Sequence, residues 1–205
     1  MQELKVINIL KNQLNFSDSS VEKIKIYINL LLKENKKYNL ISKTTETSVW
    51  SRHILDSAQL VKFIDQKNLD IIADFGSGAG LPGVLLSLFY DDYKFHVKLY
   101  EKSPLKRGFL NKLKTELGLK YEVFDNIYNH TIDADIITCR AFKKIQDIIK
   151  ISREIIKKSH IMIIPKGKNA EKEIKDVSLP KNYSYKFENS LTDKDSKILI
   201  MSVVK

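Results

Sequence analysis

Apolar side chains recur every three or four residues through the first third of the chain, a period that predicts amphipathic helices. The positions that carry this period are Leu4, Ile7, Leu10, Leu14, Ile24, Tyr27, Ile28, Leu31 and Leu32. Ser19 and Glu22 have capping-box spacing and mark the start of the second helix, and a third helix is expected over residues 47–63. Residues 1–66 are therefore predicted to form a helical extension.

After about residue 67, short apolar runs alternate with amphipathic segments. The runs expected to be strands are Ile71–Phe75, Phe95–Tyr100, Tyr121–Phe124, Ile136–Thr138, Ile161–Ile164, Tyr183–Phe187 and Ile198–Val204. Helices are expected from Leu81 and over Leu105–Leu117, Ile145–Lys157 and Ala170–Val177. This alternation predicts an α/β core over residues 67–205, with a seven-stranded, mostly parallel sheet and helices on both faces. No helix separates the last two strands, so one of them should be antiparallel.

Four glycines fall within eight residues directly after the first of these strands, although the whole chain has only seven. A strand, a glycine turn and a helix start form a nucleotide-type pocket. The dinucleotide spacing G-x-G-x-x-G begins only at Gly78 and includes Pro82. The spacing D-x-G-x-G-x-G from Asp74 through Gly76, Gly78 and Gly80 falls directly after the strand, and it resembles that of S-adenosylmethionine-dependent methyltransferases. An NAD-dependent oxidoreductase and a turn without a ligand remain alternatives.

The second strand ends at Glu101, about 25 residues beyond Gly76. An acid at this position would accept hydrogen bonds from ribose hydroxyls. The alternative is a surface acid that pairs with Lys102 or Lys106. Either donor class, methyl donor or dinucleotide, would use the ribose contact.

Charge bears on the partner of the protein, and cysteine usage bears on its cellular compartment. The chain has 35 Lys and Arg against 25 Asp and Glu, a net charge of +10, which raises the expectation of a polyanionic partner such as nucleic acid. A merely solvated lysine-rich surface remains the alternative on charge alone. Cys139 is the only cysteine, which fits a reducing compartment. We expect a cytoplasmic protein, because no apolar run reaches a membrane-spanning length and the start lacks a signal peptide. The histidines and Cys139 show no metal-ligand spacing, so no metal is expected.

Three further segments accompany the glycine turn. They are Asn35–Leu40, Arg52–Ser57 (R-H-I-L-D-S) and Cys139–Phe142. Together with Gly76–Gly83 they look like the RsmG (GidB) family, and the resemblance runs from about residue 30 to 166. It implies a Rossmann-like class I fold and methyl transfer from S-adenosylmethionine to guanine N7 in bacterial small-subunit (16S) ribosomal RNA. The partner would be that RNA or the small subunit, and the protein a monomer. A non-catalytic ribosome-assembly factor on the same scaffold is the alternative.

The resemblance also implies roles for single residues. Arg140 and Lys166 would act at the catalytic site. Gly76, Leu81, Ile127, Tyr128 and Arg140 would contact the cofactor. The spacing of the turn and the acid after the second strand add Asp74, Gly78, Gly80 and Glu101 to the expected cofactor contacts. Beyond the roles carried over from the family, we expect RNA contacts from Lys36, Lys37, Arg52, His53, Lys106 and Arg107. A merely solvated surface is the alternative for Lys36, Lys37, Lys106 and Arg107. The family often has an acid where Tyr128 stands and a basic residue where Asn126 stands.

Structural roles compete with several of these functional ones. Arg140 would instead pair with Asp133 or Asp135, and Asp56 with Arg52 at helical spacing. His53 would be a packed helix residue. Tyr38 and Trp50 are expected in the core rather than as base-stacking platforms, and Cys139 is expected to be small and buried rather than activated by its basic neighbour.

Overall fold

A computed structural model describes residues 3–65, 71–89 and 95–205. Its seven-stranded sheet has the order β3-β2-β1-β4-β5-β7-β6. The strands are β1 (Ile71–Phe75), β2 (His96–Tyr100), β3 (Glu122–Phe124), β4 (Ile136–Thr138), β5 (His160–Lys166), β6 (Tyr183–Asn189) and β7 (Lys197–Val203). Strands β1 to β5 pair in parallel, whereas β7 runs antiparallel to both of its neighbours. The predicted sheet and its antiparallel end are confirmed.

Helices cover both faces of the sheet. They are α1 (Glu3–Asn12), α2 (Asp18–Tyr38), α3 (Asp56–Ala58), α4 (Gly83–Phe89), α5 (Pro104–Leu117), α6 (Ile145–Ile155) and α7 (Ala170–Lys175). The predicted capping box at Ser19 was wrong, because the cap of α2 lies two residues earlier: the Ser17 side chain accepts from the Ser20 N–H.

The third predicted helix is a mixed segment rather than a regular α-helix. It consists of two 3₁₀ stretches, a π-helical stretch and α3, namely Lys43–Ser48, Trp50–Leu55, Asp56–Ala58 and Gln59–Phe63. Wider π-helical turns are frequent at functional sites. Here that stretch holds Arg52 and His53.

The side chains of β1 alternate between two cores, as a strand buried on both faces requires. Ala73 and Phe75 pack in the core that contains the apolar face of α6. Ile72 packs in the other core, with apolar residues of α1, α2, α4 and α5. Asp74 has the same parity as Ile72, so it points towards α4.

The predicted helical extension shares this second core with the sheet. Its contacts include two buried hydrogen bonds, from Tyr27 Oη to the Ala79 carbonyl and from Ser20 Oγ to the Leu88 carbonyl, both 2.8 Å. The predicted boundary between residues 66 and 67 lies outside the described residues. No helix in the described parts of the chain is long and apolar enough to cross a membrane.

The Asn35–Leu40 segment has a structural explanation. Asn35 is buried, its amide donates to Glu46 Oε1 (2.6 Å), and its carbonyl oxygen accepts from the Ile41 N–H (2.8 Å). Asn39 ends α2 in the left-handed conformation (φ 49°) that asparagine tolerates. These contacts fix the chain between α2 and the mixed helical segment.

Candidate active site

The glycine turn between β1 and α4 is held by the end of β2. The N–H groups of Gly76 and Ser77 both donate to the Tyr100 carbonyl, at 2.8 and 3.1 Å. Gly76, Gly78 and Gly80 all have positive φ, at 68°, 58° and 93°. The predicted turn is therefore built from backbone that few other residue types could adopt.

Three of the glycines are also required by close neighbours, since a Cβ at Gly80 would lie 2.4 Å from Cγ2 of Val84. A Cβ at Gly76 would lie 2.4 Å from Cδ2 of Phe142, and a Cβ at Gly83 would lie 2.2 Å from Cδ2 of Leu99 and 2.7 Å from Oδ2 of Asp74. At Gly78, by contrast, the nearest heavy atom to such a Cβ is the Gly76 carbonyl oxygen at 3.7 Å. The turn is thus packed from below and open at Gly78.

Asp74 lies beneath the turn. It is fully buried, and its Oδ2 accepts from the Gly83 N–H at 3.1 Å. Burial raises the pKa of Asp74 to about 7, although the hydrogen bond from Gly83 opposes this. In this arrangement Asp74 anchors the start of α4, and a cofactor would meet the turn rather than this carboxyl group.

Glu101 orients the open side of the turn. Its Oε2 accepts from the Gly78 N–H (2.9 Å) and its Oε1 from the Ser103 N–H (2.8 Å). Each carboxylate oxygen keeps a further lone pair, so two ribose hydroxyls could still donate to it. The alternative pairing with Lys102 or Lys106 does not occur among the ion pairs of the described residues.

The other predicted cofactor residues differ in exposure. Ile127 and Tyr128 lie in a short 3₁₀ helix after β3, and Ile127 is buried whereas Tyr128 is 54% exposed. Asn126 precedes them and caps that helix by accepting from the Tyr128 N–H. Leu81 is buried in the core, so only its backbone borders the turn.

Arg140 follows β4 and is held by the R-H-I-L-D-S segment of the helical extension. Its Nη1 donates to the Arg52 carbonyl at 2.8 Å and lies 3.4 Å from Asp56 Oδ2. Its Nη2 lies 2.8 Å from His53 Nδ1. The structure thus joins two segments that are more than eighty residues apart.

His53 is fixed in one tautomer by these contacts. A guanidinium has only donors, so His53 Nδ1 must accept from Arg140, and Nε2 then carries the hydrogen that faces Thr45 Oγ1 at 2.8 Å. Burial and the charges of Arg140 and Arg52 lower the pKa of His53 to about 4. The imidazole is therefore neutral and internal, a placement away from the outer surface where an RNA backbone would be met.

Asp56 connects Arg140 to the loop between β6 and β7. Its Oδ1 accepts from Thr192 Oγ1 (3.1 Å) and from Gln59 Nε2 (3.2 Å). Gln59 in turn accepts from the Leu191 N–H at 2.7 Å. The expected pairing of Asp56 with Arg52 was wrong, because Asp56 pairs with Arg140 instead.

The two acids considered as partners of Arg140 lie elsewhere. Asp133 and Asp135 both pair with Lys158, each at 2.7 Å. Arg140 therefore has a salt-bridge partner that lies in the extension and not in its own neighbourhood of the sequence.

Lys166, at the end of β5, is the other predicted catalytic residue. Its Nζ pairs with Glu173 Oε2 (2.8 Å) and donates to the Lys143 carbonyl (3.2 Å). Glu173 also accepts from the Ile145 N–H at the start of α6 (2.9 Å). Despite burial, which opposes the shift, the hydrogen bond from Lys166 lowers the pKa of Glu173. The pair ties the end of β5 to α6 and α7.

Arg140 and Lys166 line one cavity of about 530 Å³ at the carboxyl ends of β4 and β5, where open α/β sheets bind ligands. Its lining carries six cationic side chains and three carboxylates: Arg52, Arg140, Lys143, Lys166, Lys168, Lys197, Asp56, Glu173 and Asp193. The excess of positive charge suits an anionic ligand. Phe142 lines this cavity and also covers Gly76, so the cavity and the glycine turn are neighbours.

The predicted RNA-binding residues fall into three places. Arg52 and His53 border the cavity. Lys36 and Lys37 are exposed in the last turn of α2. Arg107 donates from Nη1 to the carbonyls of Glu101 (3.0 Å) and Lys102 (2.8 Å) and so closes the loop after β2, while the neighbouring Lys106 is partly exposed.

Cys139 is buried, and burial raises the pKa of its thiol. The prediction of a small buried residue is confirmed, and activation by Arg140 is not observed. Within residues 3–65, 71–89 and 95–205, no group of three or more His, Cys, Asp or Glu side chains is placed to hold a metal.

Sequence reasoning missed the residues that complete the Arg140 site. Thr45 lies in a 3₁₀ stretch and Thr192 in the β6–β7 loop, and no local pattern marks either residue. Phe142 and Asp56 lie inside segments that carry the family resemblance, but their partners are distant in sequence. Only the co-occurrence of the R-H-I-L-D-S and Cys-Arg-Ala-Phe segments hinted that they meet.

The chain matches the family model described as rRNA small subunit methyltransferase G over residues 20–198. It is 35% identical over 203 residues to the ribosomal RNA small subunit methyltransferase G of Pelagibacter ubique, an alignment that covers 96% of this chain and 94% of the relative. The glycine turn and the cavity both lie within the matched residues.

Solved structures share the fold at low sequence identity. Cofactor-bound Rv0187 from MTB superimposes with a TM-score of 0.63 and 8% identity, over 97% of this chain and 94% of that one. M. jannaschii TYW2 in complex with AdoMet gives a TM-score of 0.54 and 13% identity, over 73% and 74%. The predicted Rossmann-like class I methyltransferase fold is confirmed.

Proposed function

The chain belongs to the rRNA small subunit methyltransferase G family, and we propose that it transfers a methyl group from S-adenosylmethionine to N7 of a guanine in 16S ribosomal RNA. The observation that carries this proposal is the match over nearly the whole chain, which includes both the turn and the Arg140 cavity. The protein would work in the cytoplasm, where ribosomal RNA is made, as a monomer without a metal.

The residues at the turn fit S-adenosylmethionine. The backbone at Gly78 is open, and Glu101 lies at the end of β2 with lone pairs left for the ribose hydroxyls. Ile127 and Tyr128 would flank the adenine. The cofactor, when bound, supplies a methyl group on a positively charged sulfur, which makes that methyl group electrophilic. Gly76, Gly80 and the buried Asp74 support the turn from below.

The reaction needs no general base. Guanine N7 has an in-plane lone pair and no proton, so it forms the new N–C bond while the S–C bond breaks and its electron pair stays on sulfur. The side chains of the cavity agree with this requirement, because His53 is held neutral with both nitrogens engaged and Lys166 is paired with Glu173. The work of the protein is then to position the base, which can account for many kcal/mol of the barrier.

Arg140 is the residue we expect to position the guanine. Arginine commonly binds the O6 edge of guanine, and O6 lies beside N7 without occupying the lone pair that must react. Arg140 has five N–H donors, of which His53, Asp56 and the Arg52 carbonyl engage only part. Lys166 would neutralise a nearby phosphate or carbonyl oxygen.

Positive charge outside the cavity would hold the RNA backbone. The net charge is +10, and Lys36, Lys37 and Lys106 are exposed or partly exposed. Because each lysine that neutralises a phosphate releases counterions, RNA affinity should fall steeply as salt increases.

Transfer of labelled methyl groups to purified small-subunit RNA tests the proposal. We expect the label to appear on the RNA, at a guanine that carries the new methyl group on N7. The transfer should not depend on added metal. RNA binding without transfer would instead support the assembly-factor alternative. Calorimetry that detects binding of NAD but no binding of S-adenosylmethionine would support the oxidoreductase alternative.

A further inference from the structure

A groove of about 410 Å³ separates the end of α2 from α5. Tyr38 and Lys37 line it from α2, and Leu105, Gly108 and Lys112 line it from α5. None of these five residues belongs to the Arg140 cavity. The volume is within the roughly 300–1,000 Å³ of typical small-molecule sites, which leaves room for a planar ring.

The side chain of Tyr38 is unexpectedly exposed. Its exposed fraction is 42%, and that of Leu105 across the groove is 46%, so both are among the exposed large hydrophobic residues of the chain. The sequence had favoured a core position for Tyr38. An exposed aromatic ring beside lysines is the arrangement on which single-stranded nucleic acids stack their bases.

The charge around the groove suits the phosphates that adjoin such a base. Lys37 is exposed in the last turn of α2. The acid of the lining, Glu34, is 7% exposed and accepts from Lys112 Nζ at 2.7 Å. This hydrogen bond lowers the pKa of Glu34, so its charge is present but balanced, and Lys37 adds a cation that this pair does not neutralise.

At Gly108 the α5 wall of the groove has no side chain. It lies in the interior of α5, and a Cβ at this position would meet no heavy atom within 4 Å. A glycine in a helix interior costs about 1 kcal/mol relative to alanine. Neither a positive φ nor a close neighbour requires it here, but any longer side chain would project into the groove.

We propose that this groove is an RNA site outside the catalytic cavity, in which Tyr38 stacks on an unpaired base and Lys37 binds an adjoining phosphate. The inference rests on the proposed function in one respect, that the RNA is the small-subunit RNA. It names a contact that the catalytic residues do not make. Gly108 keeps the groove open for the base.

The test measures binding of the full chain to naked small-subunit RNA, separately from methyl transfer. Tyr38→Ala should weaken binding about tenfold or more, since stacking on one aromatic ring contributes at that level, and Tyr38→Phe should restore it. The slope of affinity against salt should stay unchanged in Tyr38→Ala and become shallower in Lys37→Ala. Tyr185→Ala is the matched control, because Tyr185 is 44% exposed on the edge strand β6.

Gly108→Leu gives an independent arm with opposite effects on stability and binding. Leucine favours the helix, so the melting temperature should hold or rise, while RNA affinity should fall because the side chain fills the groove. S-adenosylmethionine affinity should not change in either variant.

Normal RNA affinity in both Tyr38→Ala and Gly108→Leu would overturn the inference. So would a loss confined to intact ribosomal subunits, which would indicate a protein partner instead. If the unchanged chain binds RNA through the groove but transfers no methyl group, the proposed function fails and the groove stands. If the unchanged chain transfers the methyl group and both groove variants bind RNA with normal affinity, the groove inference fails and the proposed function stands.

Discussion

The glycine turn and the Arg140 cavity are adjacent but are built in opposite ways. The turn is continuous in sequence. It is shaped by its backbone conformation and by two carboxylates, Asp74 and Glu101, that accept hydrogen bonds from backbone N–H groups. The cavity is assembled from side chains of the extension, the β4 and β5 ends and the β6–β7 loop. A backbone-built site should resist substitution around it and fail by steric strain. A side-chain-built site should lose its activity when one partner is removed, without loss of the fold.

Arg140→Ala should have the largest effect. We expect methyl transfer to fall by about a hundredfold or more, because loss of precise base positioning costs at that level, while S-adenosylmethionine affinity changes less. Single-turnover kinetics and calorimetry would measure the two separately. Arg153→Ala, an exposed arginine on α6, is the control. Equal losses in affinity and in rate would show that the two regions are not separate.

Gly76→Ala should act on the turn through strain. Its φ of 68° and the 2.4 Å approach to Phe142 predict a loss of about 2 kcal/mol in the free energy of unfolding, with weaker cofactor binding. The double variant with Phe142→Ala removes the clash but not the positive φ. Chemical denaturation of all four chains forms a cycle, and strict additivity would contradict the steric part of this account.

Asp56→Asn should lower the methyl-transfer rate about tenfold, a loss of roughly 1.4 kcal/mol. The amide keeps the shape of the side chain but loses the charge that faces Arg140. Cofactor affinity should be unchanged and Asp56→Glu should partly restore the rate, a pattern expected of a positioning residue. A drop in melting temperature that accounts for all lost activity would make Asp56 merely structural.

Asp74→Asn should change how stability depends on pH. The pKa of Asp74 is about 7 when folded against an ordinary value of 3.8, so the folded state binds more protons between these values. This group therefore stabilises the fold most at low pH, and its contribution falls as pH rises towards 7. Removing it should reduce the loss of stability between pH 4 and pH 8 by about 1 kcal/mol or more. The exposed Asp147→Asn is the control, and an unchanged pH profile in Asp74→Asn would contradict the burial argument.

The sequence predicted those parts of the molecule that are local. The β1 strand and its glycine turn could be recognised because apolar burial and positive φ leave marks on neighbouring residues. The mixed helical segment could not, since each of its stretches is at most six residues long and is too short to show a hydrophobic period of its own. The exposure of Tyr38 was also missed, because an apolar stripe does not show where a helix extends beyond the elements that it packs against.

The pairing of Arg140 with His53 and Asp56 depended on tertiary structure. Arg140 had possible partners nearby in sequence in Asp133 and Asp135, and Asp56 had one in Arg52, whereas the sequence offered no partner for His53. The fold instead brings the extension to the end of β4, which periodicity cannot reveal. The family resemblance placed Arg140 at the site but did not say what holds it there.

The most direct test compares 16S ribosomal RNA from cells with and without this protein by mass mapping, together with rescue by the unchanged chain and by Arg140→Ala. The account predicts one guanine that carries an N7 methyl group only when the unchanged chain is present. Identical RNA in all cells, or full rescue by Arg140→Ala, would contradict it.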